Sequence, residues 1–180
     1  MTIYEALKKD HREVDGLLEK LTNAETAEAR RTCLEQIRDA LIPHARAEEA
    51  VFYNTLRDLG ETKADVSHAY REHLKIETLL RGLQVSESVA LNWQNGVKAL
   101  KEAITHHVQE EETNIFEAAK KALIPGEDEA IGKAFAKLKP QMGAGVMASN
   151  VELVANLLPE RFRKHFVERL KSEGDARKAG

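Results

Sequence analysis

The apolar positions of this chain recur at three- and four-residue spacing along most of its length, the period of helices with one buried face. Tyr4, Leu7, His11, Val14, Leu18 and Leu21 predict a first helix over residues 2–22, with Thr2 as its N-cap. After the short Asn23-Ala24 connection, a second, long helix is marked over 26–59 by Leu34, Ile37, Leu41, His44, Glu48, Val51, Phe52 and Leu59. Pro43 interrupts it one residue before His44, and its missing N–H predicts a kink there. Gly60 supplies a C-cap. Val66, Tyr70, His73, Ile76 and Leu80 place a third helix over 62–84, with a break at Val85-Ser86. Val97, Leu100, Ile104, His107, Glu111 and Ile115 place a fourth over 87–123, stopped by Pro125-Gly126. Beyond it the pattern is less regular: a short amphipathic helix over 127–138, a loop of small residues from Pro140 to Ala148, a last helix from Pro159 to about Lys171, and a frayed tail from Gly174 to Gly180.

The first four helices repeat. His11-Arg12-Glu13-Val14-Asp15-Gly16-Leu17-Leu18 aligns with His73-Leu74-Lys75-Ile76-Glu77-Thr78-Leu79-Leu80, an offset of 62. The second helix of each pair is offset by 63, which carries His44-x3-Glu48 onto His107-x3-Glu111. Two similar hairpins related by an approximate two-fold predict an all-α fold, an antiparallel up-down four-helix bundle over residues 1–125. Residues 126–180 are then a C-terminal helical extension packed on or beside the bundle.

Within this pattern the histidines stand out. Six of the seven have an acid at i+4, on the same helical face: His11/Asp15, His44/Glu48, His68/Glu72, His73/Glu77, His106/Glu110 and His107/Glu111. In a chain so rich in Glu the spacing alone says little, and the face each histidine occupies is the better filter. His107 shares a face with Leu100, Ile104 and Ile115, whereas His106 is turned by about 100° onto Glu102, Glu110, Thr113 and Glu117. His73 lies with Val66, Tyr70 and Leu80, and His68 with Asp65, Arg71 and Lys75. His44 lies with Ile37, Leu41, Val51 and Phe52, and His11 with Tyr4, Leu7, Val14 and Leu18. One histidine per helix therefore points inward: His11, His44, His73 and His107. Glu48 and Glu111 point inward with them.

Taken singly, an inward histidine is more simply a core residue bonded to a neighbour. Four of them with two carboxylates are different, because buried carboxylates are costly without a counter-charge and no Lys or Arg shares these faces. A metal is the simplest counter-charge. Imidazole and carboxylate donors without thiolate suit iron, manganese or zinc. Four histidines and two acids exceed the needs of one four-coordinate ion, so two ions are expected. Each would take two histidines and one oxygen from each of Glu48 and Glu111, with an oxo or hydroxo bridge, leaving about one open position per octahedral ion.

Composition narrows the classes further. The length of 180 residues, with 42% hydrophobic and 32% charged residues, suits one water-exposed helical domain. Aromatic residues are few and the net charge is −3, which argues against nucleic acid as a partner. Cys33 is the only cysteine, so no intrachain disulfide and no zinc–cysteine cluster is possible. No apolar run approaches the ~20 residues that span a membrane. Met1 to Glu5 lack the features of a signal peptide, which predicts a cytoplasmic protein.

The pattern His11, His44-x3-Glu48, His73, His107-x3-Glu111 resembles the hemerythrin-like HHE cation-binding domain. Flanking letters agree: Asp10-His11, Glu48-Glu49 before Phe52-Tyr53, and Glu111-Glu112 before Ile115-Phe116. The resemblance covers roughly residues 3–123. It implies an up-down bundle holding a non-haem di-iron centre that binds or senses O2, NO or peroxide, or handles iron. Oxygen-carrying members place a second histidine four residues after the third-helix histidine; here that position is Glu77, a candidate seventh metal ligand or an acceptor holding a neighbouring imidazole. Asp15, its counterpart, is expected to be solvated or to hold a neighbouring imidazole. The proline that commonly follows the aromatic pair is replaced by Asn54 and Glu117. An enzymatic alternative is a di-iron peroxidase, catalase-like or NO-reducing activity, for which Tyr53 and Tyr70 are the nearest hydroxyls. Iron storage or trafficking ranks lower, since ferritin-type sites use Glu-x-x-His pairs. Monomer and homodimer both remain open. His165, near Phe162 and Phe166 and several Arg and Lys residues, is read as structural or as part of a packing or dimer surface.

Overall fold

The computed structural model describes residues 1–60, 63–86, 93–142 and 155–168. Every regular element among them is helical. Helix α1 (Ile3–Thr22) begins where Thr2 was expected to cap it: Thr2 Oγ1 accepts from Glu5 N, and Thr2 N donates to the Glu5 carboxylate at 2.8 Å. Helix α2 (Ala27–Glu48) starts from a Thr26 cap, passes through a π-helical turn at Glu49–Tyr53 and continues as α3 (Asn54–Leu59). Gly60 closes it at φ 84°, a conformation that a side chain would strain. Helix α4 (Lys63–Ser86) returns alongside. Helix α5 (Trp93–Glu110) runs through a second π-helical turn, Glu111–Ile115, into α6 (Phe116–Ala122). Helix α7 (Glu127–Met142) packs on α1 and α2, and residues 160–168 are helical.

This is the four-helix bundle that the periodicity predicts, with three local differences. Pro43 lies inside α2, and the irregular turn comes six residues later, just after Glu48. The hydrogen bond Pro43 forfeits is to the carbonyl of Asp39, a solvent-facing residue. Helix α4 runs on through Val85-Ser86 instead of breaking there. Helix α7 likewise runs past 138 through Pro140 to Met142, which packs against the core and holds the last turn. The expected start of the fourth helix at 87, most of the small-residue loop and the tail lie outside the described residues.

The apolar interior has two parts. One gathers Ile3, Leu7, Val51, Phe52, Leu56, Val66, Ile115 and Phe116 with Ile131, Phe135 and Leu138 of α7. The other gathers Val14, Leu18, Leu34, Ile37, Ile76, Leu80, Val97, Leu100 and Ile104. On each long helix the sequence passes from one cluster to the other, and at the crossing stands His11, His44, His73 or His107. The polar residues therefore form a layer between two apolar cores.

Candidate metal centre

Each inward histidine is placed by a helix whose apolar residues dock on both sides of it. All four are buried, at 3–8% exposure, and Glu48 and Glu111 are fully buried at 0%. The structure brings all six together. His73 Nε2 lies 3.0 Å from His107 Nε2 and 3.4 Å from Glu48 Oε2. His11 Nε2 lies 3.2 Å from Glu111 Oε2, and His44 Nε2 lies 3.6 Å from Glu48 Oε2. The rings of His11 and His44 meet at 5.2 Å between centroids.

Around the six stands a ring of four further carboxylates that the periodicity did not single out. His11 Nδ1 faces Glu112 Oε1 at 2.9 Å, His44 Nδ1 faces Asp10 Oδ2 at 3.0 Å, His73 Nδ1 faces Glu49 Oε1 at 2.8 Å, and His107 Nδ1 faces Glu72 Oε2 at 3.1 Å. A carboxylate only accepts, so each Nδ1 carries the proton and donates. In the neutral ring that leaves the Nε2 lone pair aimed at the centre, the arrangement in which imidazole binds metal. The ring obeys the two-fold of the sequence: His11 with Glu112 corresponds to His73 with Glu49, and His44 with Asp10 to His107 with Glu72.

The π-helical turns belong to this arrangement. They begin immediately after Glu48 and at Glu111, the corresponding positions of the repeat. A π turn shifts the buried face by one residue. Consistent with that, three consecutive residues, Val51, Phe52 and Tyr53, are all fully buried. Glu48 faces the centre while its chain neighbour Glu49 reaches the outer nitrogen of His73.

The electrostatics say what the cluster lacks. Among the described residues, the buried side-chain atoms without a hydrogen-bond partner are His11 Nε2, both oxygens of Glu48, both of Glu111, and the Tyr53 hydroxyl. Burial first, and then the Glu111 charge, raise the Glu48 carboxyl well above its usual range. Burial alone would raise Glu111 too, but Glu48 and His11 hold it low. The two acids thus share one proton. Burial lowers His44 to about 4 and also lowers His73. Burial acts the same way on His11, but Glu111 and Glu112 outweigh it and raise its pKa. Four buried imidazoles turned inward, facing two carboxylates that cannot both ionise, are a donor set that a cation would complete. The spacing agrees: an ion about 2.1 Å from its donors sets adjacent donors about 3.0 Å apart, the His73–His107 separation. His73, His107 and Glu48 form one compact group whose donor atoms all lie within 4.8 Å, with His11 and His44 opposite.

Glu77 is placed elsewhere. Its carboxylate accepts from Arg46 Nη2 at 2.8 Å and from Arg81 Nη2 at 2.5 Å, at the edge of the layer. Asp15, His68, His106 and His165 are exposed. Tyr53 is fully buried and stacks on His73, with 5.5 Å between ring centroids. Burial, then Glu111 and Glu48, push its hydroxyl pKa well up. Tyr70 instead donates to Asn54 Oδ1 at 3.1 Å. The extension, which carries no motif, also reaches the site: Phe135 packs edge-on against His44, and Lys139 Nζ lies 2.8 Å from Asp10 Oδ2.

A cavity of about 30 Å³ opens beside the layer, bounded by the four histidines, Leu41, Ile76, Leu80, Ile104, Arg46 and Glu77. A water molecule needs about 10–15 Å³, so the space suits a molecule of two or three heavy atoms.

Residues 2–119 match the family described as the hemerythrin HHE cation binding domain. A DNA nickase from Nostoc sp. is 28% identical over 152 residues, which are 83% of this chain and 43% of that protein. The chain thus spans less than half the length of that relative. The crystal structure of a hemerythrin HHE cation binding domain-containing protein from Mycobacterium kansasii superposes with a TM-score of 0.69 at 23% identity, over 80% of this chain and 88% of the other. At that identity the likeness establishes a shared fold. No described helix is long and apolar enough to cross a membrane.

Proposed function

The chain belongs to the hemerythrin HHE cation-binding domain family, and from that premise we propose that its polar layer holds two non-haem iron ions and binds, senses or processes O2, NO or peroxide. His73 and His107 would hold one ion, His11 and His44 the other, with Glu48 and Glu111 between them. Glu77 is left out of the set, since two arginines already engage it. An iron pair would supply redox chemistry and open coordination positions. The protein's own part is to fix the imidazoles through Asp10, Glu49, Glu72 and Glu112, to exclude bulk water by burial, and to limit the ligand by size. The carrying observation is the set of buried donor atoms without partners beside a cavity of about 30 Å³. An organic substrate would need a pocket on the order of 300 Å³ or more.

A second reading is enzymatic, a peroxidase, catalase-like or NO-reducing activity. What favours it is Tyr53, whose buried hydroxyl lies at the two acids and could hold or give a proton there. The name DNA nickase applies to a protein of which this chain spans 43%, and a net charge of −3 offers no attraction to phosphate. DNA is not proposed as a partner.

Metal analysis with absorption spectra of the anaerobically reduced protein, exposed separately to O2, NO and H2O2, tests the proposal. The expected outcome is about two irons per chain and a distinct spectral change with at least one ligand, both lost in a His107→Ala, Glu111→Ala double variant. Full iron in that variant would overturn the ligand assignment. Sustained turnover of H2O2 without bleaching, reduced in Tyr53→Phe at unchanged iron content, would decide for the enzyme.

A further inference from the structure

The four outer carboxylates that hold the histidines are not neutralised alike. Asp10 meets Lys139 at 2.8 Å, Glu112 meets Lys8 at 3.3 Å, and Glu49 meets Arg46 at 3.6 Å. Glu72 is the exception. Its ion-pair partners among the described residues are histidines: His107 on the inner side, and His68 and His106 on the outer side. Glu110 completes the outer group. His68-x3-Glu72 on α4 faces His106-x3-Glu110 on α5, the same His-x3-Glu spacing that builds the inner layer, turned outward.

We propose that His68, Glu72, His106 and Glu110 form a second, surface site for a divalent transition-metal ion of the zinc type. The donor atoms already stand at coordination spacing. His68 Nε2 is 3.5 Å from Glu72 Oε1 and 3.2 Å from Glu110 Oε2; His106 Nε2 is 3.5 Å from Glu72 Oε1 and 3.4 Å from Glu110 Oε1. A tetrahedral ion with bonds of about 2.0–2.1 Å sets its donors about 3.3–3.4 Å apart. All four donor atoms fall within 4.8 Å of one another. Two imidazoles and two carboxylates are a sufficient set for zinc. His68, Glu72 and His106 line an open depression between α4 and α5, so an ion reaches them without unfolding anything. Arg71 and Lys75 on the rim oppose a cation at longer range, and the direct donors must outweigh them.

The site is wired to the inner layer through one carboxylate. Glu72 Oε2 accepts from His107 Nδ1 at 3.1 Å, while Oε1 faces the outer group. An ion on Oε1 draws charge from the acceptor of His107 and makes that imidazole a poorer donor to whatever it binds. Occupancy outside therefore tunes His107 inside. This coupling, unlike the site itself, rests on the inner layer holding metal.

The test is a Zn2+ titration of the iron-loaded protein, with bound metals counted after removal of excess, on the wild type and on a His68→Ala, His106→Ala double variant. Both histidines are about half exposed, so the variant is expected to fold. The wild type should take up one zinc per chain that the variant does not, at equal iron, and zinc should shift the iron absorption of the wild type alone. Equal zinc uptake by both proteins, or none by either, overturns the site. Zinc uptake specific to the wild type without a spectral shift overturns only the coupling. A His107→Ala, Glu111→Ala variant that has lost its iron should still bind the outer zinc, which separates failure here from failure of the inner centre.

Discussion

At the scale of the residue, the centre is an acid pair that the fold alone does not satisfy. Glu48 is fully buried with no hydrogen-bond partner on either oxygen, and its pKa is raised above the ordinary 4.5 by burial and by Glu111. The folded chain therefore keeps a proton on this group that the unfolded chain releases above about pH 4.5. Stability from this group is fully present below that pH and drains away as the pH rises through the folded-state value. In Glu48→Gln the ionisation is gone, and the amide can donate to Glu111. The metal-free variant should thus be more stable than metal-free wild type at neutral pH, by about 1–3 kcal/mol, and the gap should narrow towards pH 4.5. Denaturant melts of the chelated proteins across this range measure it, and a gap that does not depend on pH would refute the assignment. Metal content should fall in the same variant. The six inner residues were legible in the sequence because each shares a helical face with apolar neighbours. The ring of Asp10, Glu49, Glu72 and Glu112 was not, because a filter based on faces discards a residue turned by about 100°. These acids reach the histidines of neighbouring helices instead. Their signal was present as chain adjacency, in Asp10-His11, Glu72-His73, Glu48-Glu49 and Glu111-Glu112.

At the scale of the element, two features escaped the periodic reading for different reasons. The π turns preserve helical periodicity on either side and shift it by a single residue, a change visible only in the run Val51-Phe52-Tyr53. Helix α7 was legible as a helix but not as part of the site, because Phe135 and Lys139 act through contacts with α1 and α2 that no spacing along the chain encodes. Its seating has one tight point. A Cβ on Gly132 would stand 2.6–2.8 Å from backbone atoms of Met1, Thr2 and Ile3, so α7 lies directly on the start of α1. Gly132→Ala forces these backbones apart and should cost about 1–3 kcal/mol. Thermal melts check the loss. If α7 is seated independently of that contact, the variant will melt with the wild type.

At the scale of the whole molecule, the apolar core is cut in two by a charged layer. With the proposed metal in place, attraction to the six inner residues from four helices would tie the halves together. Without it, Glu48 and Glu111 press against each other and the layer becomes the weakest plane of the structure. The metal-loaded protein should therefore melt in one transition. The chelated protein should open in two, with amides around Trp93–Leu100 and Leu18–Leu21 losing exchange protection separately from those of α7 and the first turns of α1. A single coincident transition after chelation would show that apolar packing alone couples the halves. Under that proposal the layer would also give the chain a lifetime set by metal supply. A protein whose halves part when an ion leaves exposes its backbone to proteases in proportion to that opening. On the proposed metal centre, molecules lacking metal would then be cleared faster than loaded ones, and the number of copies that persist would become a running record of the metal available to them.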